Sequence, residues 1–176
     1  MTWLDVIDSA VKIGLGAVIA GISAFALSRS QHYREMTKAK VEREFQILKD
    51  VAEQTERLTQ SALRYWSLTG DLHRSRRSSK ALSAKKEADF TESKEALYNS
   101  FHELTSSEAK LLLLGKQDAQ TALRTYGDMI SSFRKSVISD SEPMSDAMID
   151  TWRTNILQTR ERLLAELHAC YRDLGP

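Results

Sequence analysis

The chain has 176 residues, a formal net charge of +1, one cysteine, seven glycines and two prolines. A single cysteine excludes an internal disulfide, and so few turn-forming residues leave little means of building an all-β fold, so the chain reads as all-α. The near-neutral balance hides a gradient, with 14 Lys/Arg against 7 Asp/Glu from Arg29 to Lys86 and 10 against 15 from Glu87 to Pro176. Two such halves neutralise each other when they pack together; the alternative is that the basic half meets lipid or nucleic acid.

The first element is an apolar helix from about Trp3 to Ser28. Its core, Ile13 to Ser28 (IGLGAVIAGISAFALS), carries no charge, and Arg29, Arg34, Lys38 and Lys40 follow it. Sixteen residues are short for a span, which needs about 20 apolar residues. Trp3, Leu4, Ile7, Ala10, Val11 and Gly14 extend the apolar face at helical spacing, and Thr2 with Asp5 has the shape of a capping box. Trp3 suits the membrane interface and Lys12 can reach the headgroups along its stem. The basic residues after the apolar run hold the C-terminal side in the cytoplasm. The sequence therefore predicts a membrane anchor over residues 1–30 and a cytoplasmic domain over 31–176, as in a single-pass protein of a bacterial inner membrane.

Two rival readings compete for this segment. Ala24-Phe25-Ala26 fits a signal-peptide cleavage site, but Asp5 and Asp8 precede Lys12 where a signal peptide is basic. A buried helix of a soluble protein is the other; the mean hydropathy of −0.40 averages over a very polar remainder. Within the anchor, Gly16, Ala20, Ala24 and Ser28 recur every fourth residue, with Ala17 and Gly21 beside them. Such a face lets two membrane helices approach closely. With one predicted span, it points to a second copy of the chain or to another membrane protein.

Past the anchor, Val41, Phe45, Leu48, Ala52, Thr55, Leu58, Ala62, Tyr65, Thr69 and Leu72 step by three or four. This predicts one long helix, which from Gln31 to Arg77 would reach about 70 Å if unbroken. Nothing between Leu27 and Glu35 separates it from the anchor. Ser75 to Ala84 reads as a polar connection. A second helix carries Phe90, Leu97, Phe101, Leu104, Leu111 and Leu112 and ends at Leu114-Gly115, where glycine serves as a C-cap. A third carries Ala119, Leu123, Tyr126, Ile130, Phe133 and Val137. Ser139-Asp140-Ser141-Glu142-Pro143 is a turn, with Pro143 suited to a helix start. A fourth carries Ile149, Trp152, Ile156, Leu163, Leu167, Cys170 and Leu174. Four amphipathic helices with short links fold most simply as an antiparallel bundle with a long first helix. The competing architecture is an intermolecular coiled coil, which the drifting spacing and recurrent aromatics disfavour.

No constellation for chemistry emerges. His32, His73, His102 and His168 have no second His or Cys at helical ligand spacing, and none has Glu three residues before it. His102-Glu103 begins a zinc-protease motif that Ser106 breaks. Cys170 lies on an apolar stripe as a small hydrophobe. The expectation is a chain with no catalytic, metal or cofactor residues. Beyond the juxtamembrane cations, a second basic cluster comprises Arg74, Arg76, Arg77, Lys80, Lys85 and Lys86. It reads as a solvated loop, or as a docking patch for an acidic partner or nucleic acid. Three functions follow in order: a membrane-anchored, self-associating interaction or scaffold module; an oligomerising effector that permeabilises the bilayer under control of its cytoplasmic bundle; and a membrane-tethered nucleic-acid binder using residues 74–86.

Overall fold

A computed structural model describes the backbone of residues 3–79, 81–139 and 142–174, and the side chains of residues 29 onward in those ranges apart from Ser30, Tyr33 and Ser139. The protein is all-helical, with no strand among the described residues. Its elements are α1 (Trp3–Arg77), α2 (Ala84–Leu113), α3 (Gln117–Ser139) and α4 (Asp146–Arg172). They fall into two compact units, Met1–Arg43 and Glu44–Pro176. In the first, the side chains described from Arg29 to Arg43 are exposed, apart from a half-buried Val41. Among the described residues no helix is long and apolar enough to cross a membrane; the side chains of Ile13–Ser28, on which the anchor expectation rests, lie outside them.

The second unit is a helical bundle whose core on α1 follows a seven-residue repeat. Leu48, Val51, Thr55, Leu58, Ala62, Tyr65 and Thr69 are buried, in alternating steps of three and four. That rhythm keeps one seam of a helix facing its neighbours. Here the seam is covered within the chain by Leu97 and Leu111 of α2, Leu123, Tyr126, Ile130 and Phe133 of α3, and Ile156 and Leu163 of α4. Two expected core positions on α1 shift. Val51 is buried beside a half-buried Ala52, and His73 is buried one step past Thr69 where Leu72 is half-buried. Phe45 reaches the surface and packs against the Tyr171 ring at 5.6 Å, tilted by 55°. Leu112, expected in the core, is half exposed because the seam runs through Ser107 and Leu111.

Ion pairs fix the direction of α2 against α1. Asp50, Arg57, Arg64 and Asp71, seven residues apart, meet Lys110, Glu103, Glu92 and Lys86 in that order, at 3.5, 3.0, 3.0 and 2.9 Å. The partners run backwards along α2, so the helices are antiparallel. Tyr98 of α2 faces Arg134 of α3 and Glu108 holds Gln120, again reversed. Phe133 packs on Trp152, and Phe45, Glu56 and Trp66 of α1 meet Tyr171, Arg160 and Ile149 of α4 in that order, which sets α4 antiparallel to α1.

The connections follow local chemistry. Gly115 has φ +70°. The Gly115 amide donates to Leu112 O and the Lys116 amide to Leu111 O, a Schellman closure of α2 in which glycine takes the left-handed position. Ser83 and Ser145 cap α2 and α4, each accepting from an amide three residues on. The fourth helix thus starts at Asp146 after a serine cap, and not at Pro143. A serine hydroxyl satisfies an orphan amide there, which proline's ring cannot do.

Candidate functional site

The basic cluster at the α1–α2 connection is built from residues that tie three helix ends together. Arg74 lies 3.6 Å from Asp71 and 3.4 Å from Asp146, Arg77 lies 2.7 Å from Asp146, and Lys86 lies 2.9 Å from Asp71. Arg77 also donates to the Met144 carbonyl. Asp146 sits in the first turn of α4, where its charge suits the helix dipole. Beneath this network the buried His73 accepts the Met144 amide on Nδ1 at 3.0 Å, which requires an unprotonated Nδ1. Of the expected patch, Arg74, Arg77 and Lys86 therefore face carboxylates of their own chain. Arg76 and Lys85 are exposed and make no ion pair among the described residues, and Lys80 lies outside them.

Of the residues expected to flank a membrane, Arg29, Arg34, Lys38 and Lys40 are exposed along α1. Trp3, Lys12, Gly16, Ala17, Ala20, Gly21, Ala24 and Ser28 belong to the segment whose side chains are outside the described residues. Among the described residues no three His, Cys, Asp or Glu side chains converge as metal ligands. Cys170 is buried, and burial pushes its thiol pKa up, away from the reactive thiolate.

A site that sequence reasoning passed over lies between α2 and α3. A cleft of about 440 Å³ is lined by Thr91, Lys94, Glu95, Tyr98 and Asn99 from α2 and by Arg134 from α3. The α2 residues share one outward face because they recur at helical spacing. The Arg134 guanidinium lies 6.0 Å from the centre of the Tyr98 ring, and His102 meets the same ring edge-on at 5.8 Å. Arg134 is half-buried, its Nε is fully shielded from water, and none of its donors has a partner among the described residues. The hydroxyls of Tyr65 and Thr69 are also buried without a well-formed hydrogen bond, and Tyr65 feels the charge of Arg134. Burial pushes the Tyr65 phenol up to about 12, opposed by the charge of Arg134 and by Thr69. A second cleft, of about 420 Å³ between α3 and α4, has no aromatic lining and sets Arg162 among Asp118 and Glu166.

The only sequence signal for Arg134 is a cation next to the core residue Phe133 in an otherwise regular amphipathic helix. That pattern is common at the edge of any core stripe, and only the fold brings Tyr98 and Lys94 to it. In comparisons with known proteins, no family model, no curated protein and no solved structure matches this chain.

Proposed function

We propose that the protein is a single-pass membrane protein whose helical bundle is a cytoplasmic interaction or scaffold module. One observation carries this reading: the uncharged run Ile13–Ser28 is followed at once by Arg29, Arg34, Lys38 and Lys40. The bundle after it supports an interaction role in two ways. Its core is filled by packing side chains, and its free chemistry lies on the surface, in Arg76 and Lys85 at one end and in the Arg134 cleft along one side. Gly16, Ala20 and Ala24 supply a close-packing face for a second copy or another span.

The test is fractionation with a topology reporter. The protein should stay in the membrane pellet through alkaline carbonate, and a C-terminal reporter should be active only in the cytoplasm. Gly16→Ile should reduce cross-linking between copies in the bilayer. Recovery in the carbonate supernatant, or a reporter active only outside, overturns the reading.

A further inference from the structure

Arg134 breaks the pattern that the other shielded arginines of this bundle obey. Arg77 and Arg160, with side chains about 30 % exposed, each hold a carboxylate, Asp146 and Glu56 respectively. Arg134 holds none among the described residues, although a guanidinium carries five donors and its shielded Nε lacks an acceptor. The cleft around it has two cations, Lys94 and Arg134, against the single carboxylate of Glu95, which does not pair with either. The cavity is therefore short of one negative charge and of acceptors for a forked donor.

We propose that this cleft receives a carboxylate side chain from an acidic segment of a partner protein, held by Arg134 and Lys94 beside the Tyr98 ring. The form of the cleft favours a protein over a small molecule. Five of its six lining residues are exposed. A small ligand there keeps much of its surface in water, whereas small-molecule sites bury about 70–90 % of theirs. The occupant has to be anchored by contacts beyond the cleft. Charge favours a single carboxylate over a phosphate chain, because Glu87, Asp89 and Glu95 lie along the same helix and repel an extended polyanion. Tyr98, 55 % exposed, and Arg134 are also of residue types enriched among the hot spots of protein interfaces. The inference rests on the interaction-module reading of the bundle and is independent of the membrane anchor.

The experiment uses the full chain in mild detergent. The probes are short labelled peptides that carry a single glutamate among alanines and leucines, each paired with its glutamine isostere, and binding is read by fluorescence anisotropy. The acidic peptides should bind and their isosteres should not. Arg134→Gln should weaken binding about tenfold or more, Lys94→Gln less, and Arg153→Gln, at a cation over Trp66, not at all. If Arg134→Gln loses the helical signal of the parent, Lys94→Gln and Tyr98→Ala, both at exposed positions, carry the comparison. Any one of these results overturns the proposal: no binding by any acidic peptide, equal binding by the isosteres, binding indifferent to the cleft variants, or free glutamate competing as well as the peptides. Tighter binding of a single-stranded oligonucleotide lost in the same variants also overturns it. Peptide binding that ignores the cleft variants leaves the module reading standing, and carbonate extraction judges the anchor separately.

Discussion

The Tyr126 hydroxyl lies 2.6 Å from Thr59 Oγ1, joining α3 to α1 in the core. Thr59 spends its one proton on the Thr55 carbonyl at 2.8 Å, so Tyr126 is the donor. Tyr65, six residues along α1, has the same phenol between Phe90 and Phe133 with no such acceptor.

The two tyrosines should therefore respond oppositely to the same change. Tyr126→Phe removes a satisfied bond and should cost about 1 kcal/mol. Tyr65→Phe removes a buried hydroxyl that lacks a good partner and should be neutral or slightly stabilising. Urea unfolding of both variants, read by the helical signal in detergent, checks the sign of the difference.

Both phenols make the bundle sensitive to alkali. Burial pushes Tyr65 and Tyr126 up to about 12; Thr59, through its hydrogen bond, opposes the rise at Tyr126. An unfolded tyrosine ionises near its ordinary value of 10.0, so above that pH the unfolded chain binds fewer protons than the folded one and stability falls. The contribution is fully present below pH 10 and is lost as pH rises towards 12, by about 1.4 kcal/mol per unit for each tyrosine. Melting temperature against pH should be flat below this window, allowing for other groups, and fall within it. Phenolate absorbance should show Tyr65 and Tyr126 ionising only well above pH 10.

Two backbone positions leave room for improvement. Gly70 lies inside α1, and a Cβ there would meet the Arg74 Nη2 at 3.1 Å and Ile149 Cγ2 at 3.8 Å. The arginine tip can yield, so Gly70→Ala should gain up to about 1 kcal/mol from helix propensity. Ser79 closes α1 with φ 54°, a left-handed conformation that suits glycine. Ser79→Gly should also stabilise, by about 1 kcal/mol. Gly115→Ala, at φ +70°, should cost a similar amount. Thermal melts of the three variants give the test.

The carboxylates at the α1–α2 end hold back cations that would otherwise face solvent. Asp71→Asn with Asp146→Asn releases Arg74, Arg77 and Lys86. These pairs are largely exposed, so the loss in stability should be small, about 1 kcal/mol or less per pair. Retention on a heparin column should rise, with elution at higher salt. Unchanged elution shows that the acids do not mask this patch.

Much of the bundle was legible because its helices obey simple spacing. The six apolar positions read from α3, Ala119 through Val137, are all buried. Gly115 stops α2 where its left-handed tolerance suggested. The misses arise from tertiary choices that spacing does not encode. Leu111 and Leu112 are alike as residues, and only the position of α1 decides which is covered. His73 looks polar in sequence, yet it is buried because the Met144 amide supplies its bond. Arg74 and Arg77 read as free cations because Asp146 is about seventy residues away in sequence. The Arg134 cleft depends on residues from two helices, and a cation beside Phe133 is too common a pattern to announce it.

The tilted contact of Phe45 with Tyr171 puts the start of the bundle's first helix beside the end of its last. A fluorescent or affinity tag fused after Leu174 would thus emerge next to the point where the chain enters the bundle. The same end carries Leu113, 87 % exposed, one residue before the turn at Leu114-Gly115. A bulky C-terminal fusion crowds that greasy corner and leaves the opposite end, with its arginines and Asp146, untouched. Reporter placement in any assay of this protein should be chosen with that asymmetry in view.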